Sequence, residues 1–411
     1  MGNALLNALR LNDQSKGKKS KGYFNNNASL ISYSTGFPTL DYALGYKVNI
    51  FNKKNELINT YPSLGITAGS YVLFTGKPST SKTAAAIKIA ANIIRPFENG
   101  MVIHYDLEQA TQYSRIQALT RMPINELEEK YIIRQENITL NDIKASIIDI
   151  YNEKVNNPGK YKYNTGKKNE FNEDIILYEP TVIILDSIAT ITNGLDAEIE
   201  EDISKQTDKT RLAGEISRFF NEVLGPMREA NIILIAINQI KQKIAMNAYL
   251  HEAADILGLG QNESLPGGKT HQYLAHILLK FEANGSEKFT EEDDGFSGFG
   301  VRIRIIKSRV SAAMKVVNMI YDTNSGINMI RSTVRFAKDN GLLGGNKNGY
   351  YFTSNKDDKF TLKDMPNDFK ENPNLYKIMH DNIMPVLEQN LSGITPEEIE
   401  VPQEELNFYD L

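Results

Sequence analysis

The sequence predicts an α/β protein built on a mostly parallel, twisted sheet with helices on both faces. From about residue 65, apolar runs of strand length alternate with longer amphipathic stretches. The strand-like runs read YVLFT, MVIHYDL, YIIR, TVIILD, IILIAIN, AHILLKF and VRIRIIK. Strands that alternate with helices form parallel sheets with both faces covered, and such strands are apolar along most of their length. The 411 residues, 41% of them hydrophobic, suffice for one such core and a smaller second domain.

The two ends of the chain differ in composition from the middle. Near the start, a short apolar face at helical spacing is formed by Leu5, Leu6, Ala8 and Leu9, and a Lys/Ser/Gly/Asn-rich linker follows. This pattern predicts a short helical arm, on a flexible tether, that docks on another surface. After Gly326 the pattern changes again, which predicts a small C-terminal α+β domain followed by an acidic tail without Lys or Arg. The expected parts of the chain are residues 1–30, 31–328, 329–390 and 391–411.

The composition excludes several kinds of chemistry and location. There is no cysteine, so disulfides, thiolate metal sites and cysteine nucleophiles are ruled out, and a metal must use oxygen ligands or few histidines. The longest apolar runs are too short to span a membrane. The first residues lack the apolar stretch of a secretion signal, and Leu6 stands where a myristoylation signal has Ser or Thr. We therefore expect a cytoplasmic protein that has no membrane partner.

The most informative motif is GKPSTSKT at residues 76–83, between a strand-like run and the helix-like AAAIKIAANII. A strand, a small-residue loop ending in Lys-Thr and a helix describe a triphosphate cradle, in which backbone N–H groups face the anion. Lys82 is expected to reach the β and γ phosphates, and Thr83 to place its hydroxyl on Mg²⁺. Ser81 stands where a glycine is usual, and a left-handed backbone costs a non-glycine residue about 1–2 kcal/mol. The predicted contacts are Gly76, Lys77, Pro78, Ser79, Thr80, Ser81, Lys82 and Thr83. The alternative is a Ser/Thr-rich turn that happens to contain a lysine.

Two acidic residues follow other strand-like runs. Asp186 ends TVIILD, at the position where an ATPase of this kind holds the water shell of Mg²⁺. Asp186 therefore joins Thr83 as a predicted metal ligand and joins the loop as a nucleotide contact. Glu108 follows MVIHYDL, at the sheet edge where ligands bind, and can act as a base or orient water. The alternative for Glu108 is a carboxylate at a helix start, which the helix dipole favours.

A pair of amides and a long connection follow the run IILIAIN. Asn238 ends this run and Gln239 follows it, and an amide at that edge can contact the γ-phosphate and report its presence. The connection that follows is long, and long connections are usually functional. It begins with Lys241 and Lys243 and ends at Gly267, Gly268 and Lys269. We expect this connection to order on a polyanion when ATP is bound.

The order of these motifs resembles that of the RecA family of DNA strand-exchange recombinases. The resemblance rests on GKPSTSKT, HYDLE, VIILDSIATIT, IAINQIKQKI, LPGGK and VRIRIIKSRVSAAMK, and it covers residues 30–390. The serine in the phosphate loop and the segment NKNGYY are most similar to phage recombinases of the UvsX type. Compared with bacterial RecA, the chain departs at Ser81, in a longer second loop and in the polar segment 153–174, which we interpret as a surface insertion.

The resemblance implies roles for particular residues. Glu108 is implied to be the catalytic carboxylate and Gln239 the γ-phosphate sensor. Lys307 and Arg309, in IIKSRV, are implied to reach across a subunit interface to the ATP of a neighbour. From the residues alone, the alternative interpretation of Lys307 and Arg309 is two solvated charges at the end of an edge strand. Two mobile DNA-binding loops are implied at residues 190–208 and 240–268. The DNA-binding residues expected in or beside the second loop are Lys241, Lys243, Gly267, Gly268 and Lys269.

These expectations combine into an ATP-dependent recombinase that forms a helical filament on single-stranded DNA and exchanges strands. It would use ATP and Mg²⁺, bind single- and double-stranded DNA, and assemble as a homo-oligomer with ATP between subunits; single-strand-binding and loader proteins are further expected partners. One alternative is a hexameric replicative helicase, which shares the ATPase core, although the segment before the phosphate loop is short for that class. Another is a nucleotide-dependent filament scaffold without turnover, against which Glu108 and Asp186 argue together. The residues expected to carry hydrolysis are Lys82, Glu108, Gln239, Lys307 and Arg309.

Overall fold

The structure is a computed structural model that describes residues 27–51, 56–136, 138–169, 172–191, 205–242, 259, 263–346, 348–389 and 391. The strands in these ranges are β1 (Ser32–Tyr33), β2 (Tyr46–Phe51), β3 (Leu57–Ser63), β4 (Ile66–Thr67), β5 (Tyr71–Gly76), β6 (Met101–Asp106), β7 (Tyr131–Arg134), β8 (Lys162–Lys168), β9 (Asp174–Tyr178), β10 (Thr181–Asp186), β11 (Ile232–Gln239), β12 (Lys241–Gln242), β13 (Glu263–Ser264), β14 (Ile277–Phe289), β15 (Gly298–Ser308), β16 (Val316–Asp322), β17 (Gly326–Ile327), β18 (Leu343–Asn346), β19 (Gly349–Phe352) and β20 (Asn355–Phe360).

The helices in the same ranges are α1 (Pro38–Leu44), α2 (Lys82–Ile94), α3 (Tyr113–Thr120), α4 (Ile124–Lys130), α5 (Leu140–Asn156), α6 (Pro158–Tyr161), α7 (Lys205–Glu229), α8 (Thr270–Leu274), α9 (Glu291–Asp294), α10 (Met329–Asp339), α11 (Met365–Glu371) and α12 (Asn374–Gln389). In the part of the chain that the structure describes, none of these helices is both long and apolar enough to cross a membrane.

A nine-stranded sheet forms the centre of the protein, in the order β17-β16-β15-β14-β5-β11-β10-β6-β7. The five strand pairs from β14 to β7 are parallel, and the three pairs from β17 to β14 are antiparallel. All seven strand-like runs of the sequence lie in this sheet. The prediction of an α/β protein with a mostly parallel sheet is therefore confirmed, with an antiparallel wing at one side.

Helices cover both faces of this sheet. Along β5, Val72 and Phe74 belong to one hydrophobic cluster, whereas Tyr71 and Leu73 belong to a second cluster on the other face. Helix α2 packs into the first cluster, and helices α5 and α7 pack into the second. Because both faces are covered, β5 and β10 are buried at every position. This burial explains why apolar and polar residues do not alternate along these two strands.

The segment 153–174 is polar and mostly exposed, as expected, but it has regular structure. It contains the end of α5, all of α6, all of β8 and the first residue of β9, and β8 and β9 form an antiparallel hairpin. The hydroxyl of Tyr163 in β8 lies 2.8 Å from that of Tyr33, and its ring packs at 5.0 Å from the ring of Phe97. These aromatic contacts hold the hairpin against the core, which the low periodicity of the sequence does not reveal.

The C-terminal elements surround a third hydrophobic cluster. Strands β18, β19 and β20 form a separate antiparallel sheet, and α10, α11 and α12 pack beside it. Phe352, Phe360 and Phe369 are buried at its centre, and Tyr42 of α1 also joins it. The separate sheet and cluster agree with an α+β segment, and the boundary at residue 328 stays a prediction. The arm 1–30 and the tail 391–411 lie almost wholly outside the described residues.

Candidate functional site

Four parallel strands bring the predicted site residues to one end of the sheet. In the strand register, Asp186 of β10 lies opposite Asp106 of β6 and Ile237 of β11, and Gln239 of β11 lies opposite Gly76 of β5. We call this end, where β5, β6, β10 and β11 finish, the carboxyl edge. Ligands of open parallel sheets bind at such an edge, because the loops that follow the strands meet there.

The phosphate loop joins β5 to α2 through a strained backbone. Gly76 ends β5, where an added Cβ would lie 2.4 Å from the carbonyl oxygen of Phe281. Ser79 and Ser81 have φ angles of 61° and 69°, in the left-handed region. Ser81 therefore occupies the conformation that explains the usual glycine, at a cost of about 1–2 kcal/mol. Both left-handed residues lie directly before α2, which begins at Lys82.

Lys82, the first residue of α2, lies folded onto the loop. Its ammonium group donates hydrogen bonds to the carbonyl oxygen of Lys77 at 2.7 Å and to the hydroxyl of Thr80 at 3.2 Å. Burial lowers the pKa of Lys82 from 10.5 to about 8, although the charges of Asp186 and Glu108 act in the opposite direction. A phosphate group beside this ammonium would favour the charged form and raise the pKa again.

Thr83 and Asp186 meet beside Lys82. The hydroxyl of Thr83 donates to Oδ2 of Asp186 at 2.6 Å. Burial raises the pKa of Asp186 to about 6, and the neighbouring carboxylates of Glu108 and Asp106 add to this, while Thr83 and Lys82 oppose it. Two adjacent oxygen ligands suit Mg²⁺, which usually takes one or two protein oxygens together with phosphate oxygens and waters. Within the described ranges, no group of three or more His, Asp and Glu residues offers another metal site.

Glu108 lies in the turn that follows β6 and contacts two neighbouring strands. Its Oε1 accepts hydrogen bonds from the hydroxyl of Ser187 at 3.0 Å and from Nε2 of Gln239 at 2.7 Å. The carboxylate is thus aimed across the ends of β10 and β11 and remains exposed to the cleft. The structure brings Glu108, Gln239 and Asp186 together, as the sequence predicts, and their catalytic roles stay predictions.

A cleft of about 540 Å³ extends from the phosphate loop to residues that no sequence motif indicates. Arg115 of α3 and Tyr321 of β16 line it, and the guanidinium of Arg115 donates to the hydroxyl of Tyr321 at 2.9 Å. Phe299 also lines the cleft and packs against the ring of Tyr321 at 4.8 Å. These residues come from distant parts of the chain, so no local pattern signals their meeting.

The end of β11 also connects to the place where the long second loop rejoins the core. The amide of Asn238 donates to the carbonyl oxygen of Pro266 at 2.9 Å and lies 3.2 Å from Nε2 of His271. The other ring nitrogen of His271 lies 3.1 Å from the carbonyl oxygen of Gly267. Gly267 and Gly268 have φ angles of 87° and 78°, so both positions favour glycine.

The predicted DNA-binding residues are only partly placed. Lys241 is exposed in β12, which pairs with β13, and Lys269 precedes α8. Lys243 lies outside the described residues, as do most of the two segments expected to bind DNA, 190–208 and 240–268. Their DNA contacts stay predictions.

Lys307 and Arg309 do not lie at the carboxyl edge of their own chain. Lys307 is near the end of β15, and Arg309 follows the strand. Their side chains donate to the carbonyl oxygen of Tyr273, at 2.5 Å and 3.1 Å. Ser308 lies opposite Ile277, which lies opposite Val72, four residues before Gly76. Since a strand rises about 3.3 Å per residue, the pair is set back by about 13 Å from the phosphate loop of the same chain.

Part of the central sheet is similar to a known protein family. Residues 170–328 match the RecA N-terminal domain. This RecA match includes β10, β11, β14 and β15, and with them Asp186, Gln239, Lys307 and Arg309. The phosphate loop and Glu108 precede the matched residues and are supported by the geometry described above. The match supports a RecA-family protein and a recombinase-like function in general terms.

Proposed function

We propose that the chain is an ATP-dependent DNA recombinase, similar to phage recombinases of the UvsX type, that assembles on single-stranded DNA and exchanges strands. The observation that carries this proposal is the hydrogen bond between Glu108 and Gln239 beside Lys82 and Asp186. This hydrogen bond joins the proposed catalytic carboxylate to β11, the strand that continues into the long second loop. The RecA match supports the same proposal, because it covers the strand and the loop together.

In this proposal the carboxyl edge binds MgATP. The loop amides and Lys82 hold the phosphates, and Thr83 and Asp186 hold Mg²⁺, which neutralises charge that develops on the phosphates. Glu108 accepts a proton from the attacking water or orients that water toward the γ-phosphate. Arg115, Tyr321 and Phe299 line the remainder of the cleft, where they can bind the nucleoside.

Gln239 and Asn238 link the nucleotide site to DNA binding. Gln239 contacts Glu108, and the neighbouring Asn238 contacts Pro266 at the end of the second loop. A change at the γ-phosphate that moves Gln239 therefore acts on a strand end that also anchors the loop. Lys241, Lys243 and Lys269 flank this loop and neutralise DNA phosphates, so a protein with a net charge of −5 can bind DNA along a local basic path.

Lys307 and Arg309 act on the nucleotide of an adjacent copy. Their setback of about 13 Å from the phosphate loop of the same chain supports this assignment. In a head-to-tail assembly, the face that carries this pair meets the carboxyl edge of the next copy, and such heterologous contacts generate helical filaments when they do not close. Hydrolysis then depends on assembly.

Replacement of Glu108 tests the proposal most directly. In Glu108→Gln, ATP binding should persist while DNA-stimulated hydrolysis falls by about 10²–10⁴-fold, because the base is lost. Electron microscopy should show long filaments of this variant on single-stranded DNA that do not disassemble when ATP is present. Glu128→Gln, an exposed glutamate of α4, is the matched control and should hydrolyse ATP normally. Undiminished turnover in Glu108→Gln would remove Glu108 from its role, and rings that unwind duplex DNA would favour a helicase.

A further inference from the structure

A second cavity lies at the opposite end of the central sheet. We call this end, where β5 begins at Tyr71 and β15 finishes, the amino edge. The cavity has a volume of about 260 Å³, and its wall includes Thr67, Ser70, Arg228, His276 and Arg309. No carboxylate lines it among the residues that the structure describes. The neighbourhood is therefore basic and contains no acidic residue in its wall.

Backbone contacts bring the parts of this cavity together. The N–H of His276 donates to the carbonyl oxygen of Tyr71 at 2.8 Å, and the N–H of Arg309 donates to the carbonyl oxygen of His276 at 3.0 Å. Gly69, with φ 60°, allows the chain before β5 to lie against the end of α7, because an added Cβ would be only 2.8 Å from Cα of Arg228. Arg228 and Arg309 thus reach one cavity from different elements.

Arg228 differs from the other arginines of α7 in its partners. Arg211 and Arg218 each form an ion pair with the glutamate four residues later, at 3.5 Å and 3.0 Å. The residue four positions after Arg228 is Ile232, a buried residue of β11, so this kind of pairing is impossible. A cation in the last turn of a helix is favoured by the helix dipole, but this does not explain why it lines a cavity with a second arginine.

The imidazole of His276 lies close to these positive charges and offers a hydrogen-bond donor. Its Nδ1 accepts a hydrogen bond from the N–H of Tyr71 at 3.1 Å, so the neutral ring carries its proton on Nε2. Burial, followed by the charges of Arg309, Arg228 and Lys307, lowers the pKa of His276 to about 4. Three cations therefore act on one ring that stays neutral at physiological pH. Two hydroxyls in the cavity wall, those of Thr67 and Ser70, are buried without a hydrogen-bond partner.

We propose that the cavity at the amino edge binds a phosphate group, with Arg228, Arg309 and the Nε2–H of His276 as its donors. Guanidinium groups form paired hydrogen bonds with phosphate oxygens, and the histidine adds a neutral donor in a fixed tautomer. The phosphate comes either from free inorganic phosphate or from a nucleotide held by a second copy of this chain. The proposal shares Arg309 with the proposed recombinase, and in the second case it rests on that function, but it needs no hydrolysis.

The test uses the full chain labelled with ¹³C at Cε1 of the histidine rings, so the five histidines give five signals to resolve. His276→Gln assigns the signal of interest. Inorganic phosphate, titrated at constant ionic strength against chloride, should shift the His276 signal in a saturable way if the source is free phosphate. If the source is a nucleotide, the shift should appear only when a non-hydrolysable ATP analogue and single-stranded DNA assemble the chain. Arg228→Gln should weaken the response at least about tenfold, and Arg228→Lys should weaken it less.

Arg218→Gln is the matched control, because it removes the same charge from the same helix at a paired, exposed position. It should leave the His276 response unchanged. The proposal is overturned if neither phosphate nor the assembled nucleotide complex moves the His276 signal, or if Arg228→Gln and Arg218→Gln respond equally. Normal DNA-stimulated ATPase in Arg228→Gln, together with such a negative result, would leave the proposed recombinase intact and reject this site alone.

Discussion

The two ends of the central sheet carry different kinds of charge. At the carboxyl edge, the ammonium of Lys82 lies among the carboxylates of Asp186 and Glu108, and the side chains there hydrogen-bond to one another. At the amino edge, Arg228 and Arg309 line a cavity with His276 and without any described carboxylate. Within the described residues, the positive charge of Lys82 is balanced by carboxylates at the carboxyl edge, whereas the charges of Arg228 and Arg309 have no carboxylate beside them in the cavity of the amino edge.

The two edges differ because a parallel sheet gathers different chain segments at its two ends. The loops after the strands meet at the carboxyl edge and can build a compact reaction site. The opposite edge collects strand starts, helix ends and the end of the antiparallel β15, where Lys307 and Arg309 are held by the carbonyl oxygen of Tyr273. Among the described residues, this basic surface has no acidic partner, which is why we propose that it contacts a nucleotide of another copy.

We expect the largest change in ATP hydrolysis when Lys307 and Arg309 are both removed from the amino edge. We expect Lys307→Ala with Arg309→Ala to lower DNA-stimulated ATP hydrolysis by about 10²–10³-fold, because in the proposed function both cations stabilise charge that develops in the transition state. Nucleotide binding by the unassembled chain should be unchanged, since the pair lies away from its own phosphate loop. Steady-state phosphate release and equilibrium binding of a fluorescent ATP analogue measure the two effects.

The control for this pair is Lys370→Ala with Lys377→Ala, which removes two exposed cations from α11 and α12. Its hydrolysis should match the unmodified chain under the same salt conditions. Equal activity of both double variants would remove Lys307 and Arg309 from the proposed interface.

We expect replacement of Gly69 at the amino edge to change the stability of the protein rather than its rate of ATP hydrolysis. Gly69→Ala places a Cβ 2.8 Å from Cα of Arg228 at a positive φ, so the loop or α7 must move. We expect unfolding in urea to show a loss of about 1–3 kcal/mol and the phosphate response of His276 to weaken. Gly214→Ala in α7, where an added Cβ meets no atom within 4 Å, should instead stabilise by about 0.5–1 kcal/mol. A neutral effect of Gly69→Ala would show that the close approach is not required.

We expect acidification to have a smaller effect than these substitutions, and to change ligand binding differently at the two edges. Asp186, whose raised pKa is about 6, takes up a proton as the pH falls through 6, and a protonated carboxyl no longer holds Mg²⁺. The affinity for MgATP should therefore fall by up to about tenfold per pH unit below 6. His276, with its lowered pKa of about 4, stays neutral over the same range, so a change in phosphate binding at the amino edge should follow only the second ionisation of phosphate itself. Calorimetric titrations between pH 5 and pH 7.5 measure both affinities.

Asp186→Asn provides the control for this pH dependence. It should bind MgATP more weakly at neutral pH and lose the additional decrease below pH 6. A pH dependence that persists in Asp186→Asn would assign the proton to another group of the site.

Much of the fold and of the carboxyl edge can be predicted from the sequence because the signals are local. Strands buried on both faces must be apolar throughout, so runs such as TVIILD and IILIAIN are recognisable without a structure. Functional residues that follow such runs, including Glu108 and Gln239, are then expected at one edge by the geometry of parallel strands alone. The left-handed backbone of Ser81 likewise follows from its place in the loop motif.

Other features have no local signal. Arg115 and Tyr321 are about 200 residues apart in the chain and meet only because α3 packs near the antiparallel wing. The hairpin of β8 and β9 reads as an irregular polar insertion, since its anchoring contacts involve Tyr33 and Phe97 from earlier segments. Arg228 reads as an ordinary cation at a helix end until Gly69 and His276 are placed beside it.

The α/β class, the phosphate-loop motif and the order of acidic and amide residues after the strands are evident from the amino-acid sequence, because each depends on neighbours along the chain. The hydrogen bond between Glu108 and Gln239, the distance of Lys307 and Arg309 from the phosphate loop of the same chain, and the basic cavity at the amino edge are evident only in the folded chain. Those facts depend on strand order and register, which arise from packing between segments that are distant in sequence.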